Sequence, residues 1–298
     1  MATTVDKRVE QTPTQSSWKY FLRALLYFIL LAVINTLSYS GAGRALEPVT
    51  PEWLTMLLEN TAYLIGVVVL TWAFCRFIDH RPVRDLGLQR QGSLRKLAVG
   101  GGLGLFLQSA VFGALALAGW LTVEQTSIEP IYLVASMISW TIISFNEELS
   151  FRGYILQRLS LAWGMVAAVI ASSIVFAAVH TLNPNVQPLS IMGVLMAGLL
   201  LATAYLVSRS LWLPIGLHIA WNLAEIHLFG FAGSGFSEPA ILRTTVSGPE
   251  MITGGAFGPE GGLIGIAASL VGISILLLSY RIALARTRQN ETGGIERG

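Results

Sequence analysis

The chain has 298 residues, 53% of them hydrophobic and 12% charged, with 19 Lys and Arg against 17 Asp and Glu, and its mean hydropathy is +0.63. Soluble domains carry about 25% charged residues, so the composition excludes a water-soluble globule and points to a membrane protein. The near balance of charge argues against nucleic acid as a partner, and the single cysteine, Cys75, excludes an internal disulfide framework and a cysteine-based zinc cluster.

The N-terminal stretch 1–17 is polar and reads as a cytoplasmic tail. The apolar run behind it is long enough to stay as a span rather than serve as a cleaved signal. About 20 apolar residues cross a bilayer core, and eight segments reach that length. They lie near Tyr20–Tyr39, Leu54–Phe77, Leu97–Leu121, Ile131–Gln157, Leu161–His180, Leu189–Ser208, Leu211–Phe229 and Gly262–Tyr280. The expected fold is an all-α membrane protein, a bundle of about eight transmembrane helices over 18–282, with a polar tail over 283–298. Trp18, Trp53, Trp120, Trp163 and Trp212 fall near segment ends, as interfacial anchors do. Placing both termini in the cytoplasm puts every Lys and Arg except Arg44 and Arg243 on the inner side, a strong positive-inside pattern.

Two connections stand out. Asp79–Lys96 is basic and contains Pro82 and Gly87. It reads either as a short amphipathic element on the inner surface or as a plain solvated loop. The glycine-rich outer stretch Gly230–Gly261 is expected to be irregular and mobile, a loose linker rather than a lid.

The candidate chemistry begins at Asn146-Glu147-Glu148-Leu149-Ser150-Phe151-Arg152-Gly153, which ends an uncharged run from Pro130. Ionisable groups are expensive in such surroundings and mark function unless they simply close a helix end. Neighbours on a helix point about 100° apart, so Glu147 and Glu148 cannot share a task. Glu148 and Arg152 stand at i and i+4, acid first, the favoured order for an ion pair, which leaves Glu147 free. His180 ends an apolar helix with Phe176 one turn below. His218, Asn222 and Glu225 share a stripe of another apolar helix, and such a stripe faces the bundle interior. A buried carboxylate can take a proton from water, an imidazole can help hold that water, and a second histidine with an amide can donate to an oxyanion. These are the parts for hydrolysing a peptide bond without a protein nucleophile. No Gly-x-Ser-x-Gly, His-Glu-x-x-His or phosphate-binding glycine loop occurs.

Taken together, Glu147-Glu148-x3-Arg152-Gly153, Phe176-x3-His180 and His218-x3-Asn222 resemble, in order and spacing, the motifs of the CPBP intramembrane endopeptidases. These are the CAAX proteases and bacteriocin-processing enzymes, also called the Abi family. The continuation Thr181-Leu182-Asn183-Pro184-Asn185 is similar to bacterial members, and the likeness spans roughly 137–229. It implies Glu147 and His180 as the pair activating water, and His218 with Asn222 as oxyanion stabilisers. Eukaryotic members cut prenylated proteins near a C-terminal cysteine, and members are often described as metalloproteases.

The reading is a multi-pass protease of a plasma membrane, bacterial inner membrane by resemblance. Its site is reached from the cytoplasm and its substrate is a membrane-associated protein or peptide. Glu147, Glu148, Arg152, His180, His218 and Asn222 make up the site, with no cofactor and no metal. The rival readings are a zinc enzyme using His180, His218 and a glutamate, a non-catalytic scaffold or immunity protein, and a transporter. In a straight antiparallel pair, Glu147 and His180 would each lie about 24 Å from a turn at Trp163–Gly164, whereas His218 would lie about 13 Å past Arg209. The mismatch predicts that Gln157–Trp163 projects beyond the bundle.

Overall fold

Lipid offers a backbone no hydrogen-bond partner, so a long apolar run closes its bonds on itself as a helix. The computed structural model describes residues 17–124 and 129–295, so the N-terminal tail lies, but for Ser17, outside the described residues. Each apolar segment is helical. In chain order they are α1 (Ser17–Thr36), α2 (Glu52–Ala73), α3 (Ser93–Leu117), α4 (Pro130–Glu147), α5 (Leu156–Trp163), α6 (Met165–Val179), α7 (Pro188–Ser208), α8 (Trp212–Asn222) and α9 (Leu263–Ile295). π-Helical stretches at Glu148–Ile155 and Leu223–Leu228 continue α4 and α8. The polar stretch expected as a tail continues α9 as helix to Ile295.

Against the eight spans expected, 6 helices among the described residues are long and apolar enough to cross a membrane. The remaining two carry the polar groups of interest. The helix through α4 and α5 holds Glu147, Glu148, Arg152 and Arg158, and α8 with its π turn holds Glu225. Large apolar side chains such as Leu26, Ile29, Val69, Phe106 and Leu278 face outward, as a lipid-facing surface requires.

One end of the bundle is tied by charge. Asp79 accepts from Arg23 at 2.9 Å and from Arg158 at 3.1 Å. Above this knot Tyr27 stacks on Tyr154 with centroids 4.3 Å apart, and Phe74 meets both rings edge-on. The 79–96 connection is neither an amphipathic helix nor a free loop. Leu86 is fully buried, Gln157 donates to its carbonyl at 2.8 Å, and the Gly87 carbonyl accepts from the Leu211 amide at 2.9 Å. Backbone acceptors therefore fix this short turn to the start of α8.

α8, which carries His218 and Asn222, is seated on α3 through glycine. A Cβ at Gly100 or Gly104 would strike the carbonyl of Leu213 or Leu217, and one at Gly216 would strike that of Leu97. Small residues one turn apart let two backbones touch, the usual way helices associate in lipid.

The stretch after residue 229 is not a loose linker. Phe231 and Phe257 are buried, and strand β2 (Arg243–Val246) pairs antiparallel with β1 (Leu121–Glu124), a small exception to the all-helical expectation. Asn183 and Asn185 donate to the Ser234 and Gly235 carbonyls at 3.0 and 3.2 Å. Its glycines serve tight packing: Gly258 has φ 108°, and a side chain there would strike the Ala232 carbonyl. The segment is a cap fastened to the bundle.

Gln157–Trp163 does not project. α5 packs on α1 and α6, with Leu156, Leu159 and Ala162 buried, and the chain reverses at Gly164 with φ 80°. Part of the depth mismatch falls to the π-helical stretch between Glu148 and Ile155, which departs from the regular α-helical rise.

Candidate active site

The two acids diverge where α4 passes into its π turn, and every residue of that turn, Glu148–Ile155, is buried. Extra residues per turn of this kind are frequent at functional sites. Glu148 is fully buried. Its Oε1 accepts from Arg152 Nη1 at 2.8 Å and lies 2.9 Å from His218 Nδ1. Arg152 also donates to the Gly198 carbonyl at 3.0 Å and lies 4.3 Å from the centre of the Phe176 ring. The i, i+4 pair is therefore present, and Glu148 has a further partner that the spacing did not signal. A buried ion pair is tolerable only when its remaining lone pairs and protons are bonded; the histidine, the carbonyl and the ring meet that need in part, and Glu148 Oε2 is left buried without a partner.

Glu147 points elsewhere. Its side chain is 19% exposed and its Oε2 lies 3.6 Å from His218 Nε2. With Nδ1 facing a carboxylate, which only accepts, His218 carries its proton there and presents Nε2 to Glu147. His180 is oriented in the same way. Its Nδ1 donates to the Phe176 carbonyl at 2.7 Å, its ring packs on Phe176 at 4.7 Å, and Nε2 carries the lone pair in the neutral form. Asn222 spends one amide hydrogen on Ser144 Oγ at 3.0 Å and keeps the other.

Glu147, His180, His218 and Asn222 line one cavity of about 600 Å³. Glu148 and Arg152 stand behind its wall. Glu225 is fully buried but off the cavity, because the π turn after Asn222 redirects it. There it accepts from Gln108 at 3.1 Å and from the Glu260 amide at 3.3 Å. The expected stripe thus faces the bundle interior throughout, and its last member belongs to the cap's anchorage.

Several lining residues were not singled out by sequence reasoning. Tyr39, Glu59, Asn60 and Tyr63 come from the first two spans, Ser139 from α4, and Glu238 and Glu260 from the cap. Glu59, one acid within an apolar run, was the only one with a sequence signal of the kind that exposed Glu147. Burial pushes the Glu238 carboxyl above the usual carboxylate range, with Glu52 adding to the rise and a hydrogen bond from Ser136 opposing it.

The cavity occupies the half of the bundle that carries the cap, away from the Asp79 knot and the basic 79–96 turn. Early α2, early α7 and the end of α6 line it, and Asp79, Arg158 and Leu86 do not. The cavity and the basic 79–96 turn thus lie at different levels of the bundle. The arrangement offers a carboxylate and an imidazole lone pair to a water molecule, with an imidazole nitrogen and an amide beside them.

Residues 129–224 match the family model described as Rce1-like, type II CAAX prenyl endopeptidase. Among curated proteins no relative is matched.

Proposed function

On the premise that this chain is a member of the CPBP/CAAX protease family, which the match over 129–224 supports, we propose that it is an intramembrane endopeptidase cutting a membrane-associated protein or peptide. Glu147 takes a proton from a water molecule whose second hydrogen is held by His180 Nε2. The resulting hydroxide attacks the scissile carbonyl. His218 Nε2–H and the unspent Asn222 N–H hold the oxyanion, and Glu147 returns its proton to the leaving amine. Because Glu148 holds Nδ1–H, donation to the oxyanion through Nε2 requires a second ring proton on His218. Glu148 and Arg152 are positioning residues in this scheme. The observation that carries the reading is the meeting of Glu147, His180, His218 and Asn222 in one cavity inside an apolar bundle.

The same reading has eight spans in a plasma membrane, the inner one in a bacterium. The basic face and both termini are cytoplasmic and the cavity lies in the outer half. Purified protein in proteoliposomes tests the chemistry. Glu147→Gln keeps volume and removes the base, so cleavage of a membrane-inserted peptide should fall roughly 100- to 10,000-fold with folding unchanged. Cleavage near the wild-type rate would overturn the assignment.

A second reading, zinc held by His180, His218 and Glu147, draws on one observation. Both histidines have Nδ1 bonded and Nε2 directed to the cavity, the orientation that metal-binding histidines adopt. Against it, no three His, Cys, Asp or Glu side chains among the described residues converge at metal-ligand distances, and zinc ligation would take the base. Treatment with a chelator should leave activity intact on the first reading. Activity lost on chelation and restored by zinc alone would establish the second.

A further inference from the structure

We propose that the cavity selects a cationic substrate: an apolar membrane-embedded segment bearing a Lys or Arg beside the scissile bond, and not a free C-terminal carboxylate. This rests on the proteolytic reading of the cavity. Glu59, Glu147, Glu238 and Glu260 all line it, and no Lys or Arg does. Among the described residues, none of Glu59, Glu238 and Glu260 has a basic side chain within 4.0 Å. Glu260 is already engaged, because its Oε1 accepts from the Ser234 amide at 2.6 Å. Glu238 in the cap accepts from the Ser136 hydroxyl at 3.0 Å through one oxygen, Oε2, and with Glu59 on α2 it is left to read a charge.

Low-dielectric walls lined by one sign of charge focus the field and concentrate ligands of the opposite sign. A terminal carboxylate brought into this cavity would meet four acids and no arginine, whereas an ammonium or guanidinium group would satisfy carboxylates that now lack a cation. A separate observation places the backbone of a ligand here. Ser139, two turns before Glu147, is 1% exposed, lines the cavity, and its hydroxyl has no hydrogen-bond partner. Buried hydroxyls are normally bonded, and a substrate carbonyl is the acceptor it lacks. The apolar remainder of the wall, Leu31, Val194 and Leu200 among it, suits the membrane segment.

The test uses full-length protein in proteoliposomes and quenched fluorescent peptides with one apolar core. A flanking position is Lys, Gln or Glu, and each peptide is made with an amidated and a free C-terminus. Binding is measured on Glu147→Gln protein and cleavage on wild type. The Lys peptide should bind and be cleaved with kcat/KM about tenfold above the Gln peptide, with the Glu peptide lower still. In the double variant Glu59→Gln, Glu238→Gln that preference should vanish, and the loss should appear in KM for the Lys peptide rather than in kcat. Ser139→Ala should weaken binding of all three peptides alike. Equal binding of Lys and Glu peptides, a Lys preference that survives the double variant, or a requirement for the free carboxylate would each overturn the inference and leave the protease standing. A Lys preference in binding without cleavage of any peptide would keep the inference about charge and overturn the proteolytic reading alone.

Discussion

Glu148 lies between an arginine and a histidine, and each depends on it for something different. Arg152 needs a counter-charge. His218 needs an acceptor that fixes which nitrogen carries its proton. Removing one partner of a buried ion pair costs about 3–5 kcal/mol, because the other charge stays buried. Glu148→Gln should therefore lower yield in membranes and the unfolding temperature, whereas Glu147→Gln should lower neither. The double change Glu148→Leu, Arg152→Leu separates the two dependencies. Apolar replacement of a buried pair is often neutral or stabilising, so thermal stability should return toward wild type while kcat stays low, since His218 Nδ1 has lost its acceptor. Recovery of kcat along with stability would reduce Glu148 to a structural counter-ion.

At the scale of elements, His218 and Asn222 are only as well placed as α8, and α8 is only as well placed as its contact with α3. Gly104 and Gly102 make a matched pair. A Cβ at Gly104 meets the Leu217 carbonyl, while at Gly102 nothing lies within 4 Å. Gly104→Ala should cost about 1–3 kcal/mol by overpacking and reduce kcat by displacing His218 and Asn222. Gly102→Ala should be neutral or stabilise by up to about 1 kcal/mol through helix propensity. Thermal melts of both proteins with peptide cleavage beside them check this. The helical, membrane-spanning character of the chain was legible in the sequence because apolar length is a local signal, and the rarity of charge in such runs is what drew attention to Glu147, Glu148 and Arg152. The cap was not. Its glycines read as freedom, but residues such as Gly258 serve close packing, and only contacts distant in sequence reveal that. The π turns were equally hidden, since residue spacing presupposes a regular helix. Glu238 gives the cap a pH signature. Its raised carboxyl favours the folded state while protonated, so that contribution is present below the ordinary carboxylate range and is lost as pH rises through the raised value. Glu238→Gln should flatten the decline, giving a melting-temperature advantage over wild type that grows with pH.

For the molecule as a whole, sidedness is open to direct measurement. Cys75 is fully buried, so an added cysteine reports alone. Ser237 in the cap is exposed, and Ser237→Cys should react with a membrane-impermeant maleimide applied outside intact cells, while Arg90→Cys in the basic turn should react only after the membrane is broken. The reverse pattern would place the cavity in the cytoplasmic half and restore access from that side.

The tied end of the bundle has a consequence for the cell that houses it. A wet cavity within a membrane is half of a leak, and any continuation through the other half would drain the ion gradient. Beneath the cavity the chain places Tyr27 and Tyr154, both fully buried, and beneath them Asp79 held by two arginines. A stack of rings and a carboxylate clamped by two guanidinium groups therefore separate the cavity from the basic turn. If the cavity hydrolyses peptide bonds, as proposed, the fold admits a reactant to the middle of an insulator and leaves the insulation whole.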